Sequence, residues 1–596
     1  MTDAARENGN LDMRLFPAAI CAWLSSLVCK TCGPSAAAVF IFASLACFAL
    51  AVFLLGIHIR KKSGKSIKRI MHFSVLCMTL CAAFSFASAI SSGLDILRES
   101  SDPASIAAGK KNSKGVFEVE AIAPMSVSDR RESDCKTDVS VSLAELYDVQ
   151  SQNSVISPSA VTARLYSSGG QCNFVQGGKY RVEADISQAE YGMQKIWLTQ
   201  TVNSASISAA EPSFVRKISN DIQNRFFNAC RSLSDQGRIL VPGLTLGVMG
   251  QDAYFGALYE NSSANPGSPS NSPGSELDID SVYSKRVENS FKNAGLMHLT
   301  AVSGSHFVLA ADCARRICSA FLAHRNIRIF LTLFFYAVLI YLMYPSDSVI
   351  RAAIMGTVGL GACAIGRRPR ALPCLNIAVI TAIIFKPSLS LSLGFALSVA
   401  SVFGILLLNG PASAFFARFL PKIISEPLSV TVSAQIFSLP VQTIMGGGIP
   451  LLSPLANLIE LPAAEFATIF GLAALVCSAF FPQAAEILIL ISSFFTSLME
   501  KTVGMLNNIP FGVLSWPDGF LGAVCVCLAY VCFTVFLLSA RLFVRKISAA
   551  AFGRGRHAEN YAGKRFRLSF RQRCVRWYEE TCEMIFPDLS GDKRKL

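Results

Sequence analysis

Two histidines and two serines, His298, Ser303, Ser305 and His306, fall within thirteen residues, Ala294-Gly295-Leu296-Met297-His298-Leu299-Thr300-Ala301-Val302-Ser303-Gly304-Ser305-His306. They open a long apolar stretch, where polar side chains are costly unless they pair or line a watery path. Imidazoles and hydroxyls there can donate hydrogen bonds to an anion. A serine three residues from a histidine on a helix could also form a nucleophile and base pair. A second group lies near 440–465, where Gln435, Asn457, Glu460 and Glu465 accompany Pro440, Gly446-Gly447-Gly448, Pro450, Pro454 and Pro462. Broken helix at membrane depth is tolerated where it lines a cavity or is buried in protein.

The elements that must position these groups are hydrophobic. A mean hydropathy of +0.44, with 52% hydrophobic and 16% charged residues, excludes an ordinary soluble protein. Apolar runs of bilayer length recur to about residue 545. We expect a polytopic α-helical membrane protein of about 12 transmembrane helices with an inserted, OB-like extracytoplasmic β domain. The first apolar run lacks a small-residue cleavage site at Cys29-Lys30-Thr31-Cys32-Gly33 and reads as a retained helix.

Charge sets the orientation. Arg60, Lys61, Lys62, Lys65, Lys68 and Arg69 cluster between the second and third helices, which places that loop in the cytoplasm. The N-terminus is then inside and residues after 92 are outside. Residues 93–290 carry 18 Lys/Arg against 23 Asp/Glu, whereas 541–596 carry 14 against 6. The basic excess therefore belongs to a cytoplasmic tail, where a contact with lipid phosphate or nucleic acid is a further option. The expected localisation is the cell (plasma) membrane, multi-pass, with both termini cytoplasmic.

The expected domains are a three-helix segment at 1–92, an extracytoplasmic OB-like domain at 93–235, an amphipathic segment and disordered linker at 236–290, nine crossings at 291–545, and the tail at 546–596. In the second domain Gly115–Ala123, Val139–Leu146, Ala160–Tyr166, Tyr180–Ile186 and Lys195–Ser204 read as strands of a small barrel. Residues 211–234 read as a helix with Phe214, Ile218, Ile222 and Phe226 on one face. The linker at Asn261–Ser275 is rich in Ser, Pro, Asn and Gly. Cys135 and Cys172 lie in this outer segment and could form a disulfide. Cys525-Val-Cys527 has the wrong spacing for zinc, so neither metal nor cofactor is expected.

Ala294–His306 resembles the signature that opens the membrane block of the ComEC competence family. Further stretches match in the same order: Arg351-Ala352, Pro387 with Gly394-Phe395-Ala396-Leu397-Ser398, Gln435 to Pro440, and Ser453-Pro454-Leu455-Ala456-Asn457 with Pro462. Leu240-Val241-Pro242-Gly243-Leu244-Thr245-Leu246-Gly247 is similar to a short motif that family places before the block. The resemblance implies a channel that takes single-stranded DNA into the cytoplasm during natural transformation. Many members also carry a C-terminal metallo-β-lactamase-like domain. Here His557 is the only histidine beyond residue 324, so no His-x-His-x-Asp-His zinc cluster can be built and no enzyme activity is expected. Val248, where the family often has an acid, and the net-negative outer segment are further departures.

On this reading His298, Ser303, Ser305 and His306 line the DNA path. The two histidines lie about 80° apart on one helix. Arg351 contacts phosphate at the outer mouth, and Gln435, Asn457, Glu460 and Glu465 complete the path. Gly295, Gly304, Gly394, Pro454 and Pro462 are structural. The competing reading makes the histidines interhelical hydrogen-bond partners. Expected partners are single-stranded DNA, the lipid bilayer, a separate nuclease, a DNA receptor, and a cytoplasmic ATPase or single-strand-binding proteins. No GxxxxGK[ST] loop is present, and a homodimer is an option. A small-solute secondary transporter and an intramembrane hydrolase are the alternatives. The first lacks visible internal repeats, and the second lacks an acid beside the histidine.

Overall fold

The computed structural model describes residues 12–60, 65–110, 113–247 and 281–552. Short breaks fall at 124, 128–133, 148–153, 169–173, 190–193, 195, 202–206, 300–303, 322–323, 345, 447 and 510–511. The expected linker at Asn261–Ser275 and the basic tail beyond Phe552 lie outside the described residues.

Helix α1 (Phe16–Arg60) is kinked at Gly33, whose φ is +82°, a backbone state that glycine adopts without penalty. Helix α2 (Lys65–Ser101) shows what the kink does. Before Gly33 the two helices run parallel, because Ser88 donates to the Ala22 carbonyl, the Ser26 and Ser92 hydroxyls meet at 2.8 Å, and Lys30 pairs with Asp95 and Glu99. Beyond it the direction reverses, with Ile41 against Gly93 and Phe48 stacked on Phe86. The first element is thus a helical hairpin, and α2 is its third leg. This leg runs to Ser101, nine residues past the boundary drawn at 92.

Helix α3 (Pro103–Ala108) enters the β domain. Asp102 caps it through the Ala104 amide and also accepts from the Ser159 hydroxyl and the Ala160 amide, so one carboxylate ties the membrane helix to the sheet. The strands are β1 (Ser113–Ala121), β2 (Ser126–Val127), β3 (Asp134–Tyr147), β4 (Ser154–Pro158), β5 (Thr162–Ser168), β6 (Lys179–Gln188), β7 (Ile196–Gln200) and β8 (Ile207–Ala210). Five of them close on themselves in the order β1-β3-β5-β7-β6-β1, with β5 and β7 parallel and the other pairs antiparallel. Alternation turns Phe117, Val119, Val139, Leu165, Val182 and Leu198 into a shared core. Cys135 is disulfide-bonded. Its expected partner, Cys172, lies outside the described residues.

Helix α4 (Phe214–Cys230) and helix α5 (Asp235–Leu246) follow the sheet. Helix α5 is buried along its length between α13 (Ser453–Phe480) and α14 (Pro482–Asn507). Before them come α6 (Ser281–Asn293), a 3-10 turn at Met297–Leu299, α7 (Gly304–Ala320), α8 (Arg325–Leu342), α9 (Asp347–Ala364), α10 (Ala371–Phe385), α11 (Leu393–Phe416) and α12 (Lys422–Met445). The last helix is α15 (Gly519–Phe552). Nine helices among the described residues are long and apolar enough to cross a membrane, and two shorter apolar ones are Ala37–Phe53 and Ala371–Phe385.

Two expectations need correction. The break at 440–465 is confined to 446–452: α12 continues past Pro440, and α13 passes through Pro462 without ending. The strict alternation of crossings also fails at the α13–α14 hairpin. With nine alternating crossings starting outside at residue 291, the end of α8 falls outside and the end of α13 inside. Yet Ser219 and Gln223 donate to the Tyr341 and Leu342 carbonyls at 2.7 Å, while Arg225 donates to the Ala479 carbonyl at 3.2 Å and Ser478 to the Ile222 carbonyl at 3.4 Å. Six residues of helix span roughly 9 Å, against about 30 Å of hydrocarbon. The two helix ends therefore share a face. The hairpin also starts and finishes together, since Ile449–Pro450 pairs with Val513–Leu514 as a short β ladder.

Close helix contacts depend on small residues. A Cβ at Gly404 would lie 2.4 Å from the Ser433 carbonyl oxygen, where α11 meets α12. Gly404→Ala should cost about 1–3 kcal/mol through overpacking. The expected result is a lower thermal unfolding midpoint of the detergent-solubilised protein and a smaller membrane yield.

Candidate functional site

A cavity of about 880 Å³ runs between α7, α9 and α11. From α9 it is lined by Ser346, Asp347, Ser348, Arg351, Ala352, Met355, Gly356 and Gly359. These positions recur at three and four residues, one face of a helix. From 346 to 359 that face is roughly 20 Å long, so the cavity is a slot along α9 rather than a round pocket. Gly304, Ser305 and Phe307 of α7, with His298 before it, form a second wall. Gly394, Leu397, Ser398 and Ser401 of α11 form the third, and Arg370 stands at the far end.

Arg351 is 5% exposed. Its Nε donates to the Ser398 hydroxyl at 2.7 Å, and the Ser398 and Ser348 hydroxyls lie 3.2 Å apart. Among the described residues no carboxylate forms an ion pair with it. The nearest acid in sequence, Asp347, accepts from the Ser392 hydroxyl, which also caps α11. Gly394 makes room for that carboxylate, since a Cβ there would lie 3.4 Å from Asp347 Oδ2. A buried cation without a counter-charge is costly unless water or an anion reaches it. Gly304 supplies the access: even a Cβ there would stay 3.8 Å from the guanidinium.

His298 lies in the turn before α7, with Nδ1 3.1 Å from the Gly295 carbonyl. Gly295 has a φ of +72° and packs against Ser453, 2.6 Å from where a Cβ would be. Both its conformation and its neighbour therefore require glycine. Behind His298 a polar track runs through α13 and α12. Asn457 donates to the Ser453 carbonyl at 2.9 Å, Ser453 to Gln435 Oε1 at 3.4 Å, and Gln435 to Gln442 Oε1 at 3.3 Å. Pro454 starts α13 at a position that needs no amide hydrogen.

The remaining candidates fall elsewhere. His306 is 2% exposed and is not among the residues lining the slot; its Nε2 sits 2.9 Å from the Leu244 carbonyl. That carbonyl belongs to the last turn of α5, where no amide of the helix can reach it. The helix expected to continue through 294–314 begins only at Gly304, so the two histidines do not share a helical face. Ser303 lies outside the described residues. Glu460 is buried and accepts from the Thr502 hydroxyl, whereas Glu465 points outward from α13. Tyr283 of α6 donates to Glu500. Burial first, then that hydrogen bond, raises the Tyr283 phenol far above its ordinary range.

Residues 280–541 match the family model described as Competence protein. The matched segment, somewhat less than half of the chain, is similar to that family. No curated protein and no solved structure matches the chain. Every residue lining the slot falls inside the competence segment, whereas α5, which His306 holds, precedes it. Sequence reading missed Asp347, Ser348, Ser398, Ser401 and Arg370. Ser346 and Ser392 cap the starts of α9 and α11, a helix-start signal that could have located those ends but not the cavity between them.

His306→Leu should leave the buried Leu244 carbonyl unsatisfied, a loss of about 1–3 kcal/mol. Reduced abundance and faster proteolysis in membranes are expected. His298→Leu, which faces the slot, should leave both unchanged.

Proposed function

We propose that this chain is a channel of the cell membrane that passes single-stranded DNA inward during natural transformation. The competence family supports a role in DNA uptake. The observation that carries the channel reading is Arg351, a buried guanidinium without a carboxylate partner among the described residues, set in a slot about 20 Å long. A polyanion needs donors and fixed cations along its path rather than acids. Arg351, Arg370, His298, Ser305 and Ser398 are of that kind.

The outer sheet is read as an OB-like domain because five strands close with the third and last of them parallel. Its disulfide-bonded Cys135 favours an oxidising, extracytoplasmic compartment. Twelve hydrophobic segments follow if the nine long spans, the two shorter apolar helices and α7 are all counted as membrane-embedded. Both termini are proposed to be cytoplasmic because the loop between α1 and α2 and the tail after α15 are both basic. The chain itself is proposed to be no enzyme. A separate nuclease would supply the single strand, a DNA receptor would deliver it, and a cytoplasmic ATPase or single-strand-binding proteins would draw it in.

The test is uptake of labelled DNA, with surface-bound and DNase-protected label counted separately. Arg351→Gln should lower protected label by about tenfold or more and leave surface-bound label unchanged, and Arg351→Lys should restore part of it. Immunoblots should show equal abundance. Protected label equal to that of the parent in a deletion strain would overturn the reading.

A further inference from the structure

The second half of helix α4 buries Phe226, Phe227 and Cys230 as expected, but its first half is turned inside out for a helix bathed in water. Its buried side carries Ser219, Asn220 and Gln223, the last 3% exposed. Its outward side begins with Phe214, 78% exposed, followed by Val215 and Ile218, also exposed, with the charged Lys217 and Asp221 exposed beside them. A water-facing amphipathic helix buries the opposite set. The buried amides and hydroxyl have their own purpose: they bond the Tyr341 and Leu342 carbonyls and, through Asn220, the Gln176 carbonyl of the outer domain. The apolar side needs a different explanation, and its neighbours supply one. Arg216 donates to the Tyr341 carbonyl and stands over the Tyr341 ring at 5.9 Å. Tyr341 is the exposed end of a span whose flank also exposes Phe330 and Phe334. At the other end of the same contact, Arg225 binds the tip of the α13–α14 hairpin, where Phe480 and Phe481 are exposed.

We infer that α4 is an interfacial helix whose Phe214, Val215 and Ile218 insert into the lipid headgroup and upper acyl region of the outer leaflet. The apolar flank of α8 leads to Tyr341, and Tyr341 leads to the start of α4, so the face continues a surface already in contact with lipid. Such helices bury their apolar side roughly 5–10 Å into the boundary. Aromatic rings beside arginine at span ends are the composition of that zone. The consequence is positional. Asn220 and Gly177, against which the Arg216 stem packs, fix the sheet domain to α4. The bilayer would therefore set the height and tilt of that domain over the spans.

The full-length protein in nanodiscs of phosphatidylethanolamine and phosphatidylglycerol tests this by photocrosslinking. p-Benzoylphenylalanine is placed in turn at Phe214, Ile218, Phe330 and Ser142, the last being exposed on the sheet. Lipid adducts from Phe214 and Ile218 should come within about threefold of Phe330 and exceed Ser142 by about tenfold. Yields equal to those at Ser142 would overturn the inference. So would adducts from those two sites falling mainly on a second copy of the chain.

Discussion

A helix that ends inside a packed membrane domain leaves carbonyls that water cannot reach, and α5 is such a helix. Gly247 closes part of its last turn in the left-handed conformation, returning its amide to the Gly243 and Pro242 carbonyls. The Leu244 carbonyl is left for another element, and His306 takes it. Much else follows from seating that helix end. Thr245 fills the space that Gly471 leaves open, and Gln236 engages Ser493 and Thr496 on α14. The first turn of α7, which forms one wall of the slot, is fixed relative to α13 and α14. Polar satisfaction therefore determines where the wall stands.

The N-terminal hairpin reaches the same region from the opposite side. Trp23 donates to the Ser390 carbonyl, and Ser26 bonds the Ser390 hydroxyl, in the short turn that leads into α11. Lys30, nearly buried, is held by Asp95 and Glu99. Paired in this way, its charge gives up much of the cost of burial. Arg351 is treated differently by its surroundings, which offer hydroxyls but no paired carboxylate among the described residues. Within one fold, one buried cation is neutralised and another is not.

Much of this could be read from the residues. Apolar runs and basic loops located the helices, and alternation located the five principal strands to within a few residues. The ordered motifs led to the competence family. The slot was only partly legible. His298, Ser305 and Arg351 stand on it, but Ser398 and Arg370 come from helices whose packing no local pattern reveals. His306 carried the same apparent signal as His298 and has a different position, because its partner carbonyl lies 62 residues earlier in the chain. Glu460 and Glu465, neighbours in sequence, face different surroundings because five residues turn a helix well past a right angle. Charge parity failed at α13–α14 because the hairpin tip, Ala479-Phe480-Phe481-Pro482-Gln483, carries no basic residue to report its side.

The pairing of Asp347 with Ser392 has an electrical consequence. It keeps the acid nearest the slot engaged while Arg351 and Arg370 mark its length. Fixed positive groups in a narrow passage raise the barrier to protons and small cations. A membrane that stores energy as a potential loses it through any pathway that conducts such ions. If the slot is the proposed DNA path, the arrangement that would welcome a polyanion would also resist discharge of the membrane while that path stands empty.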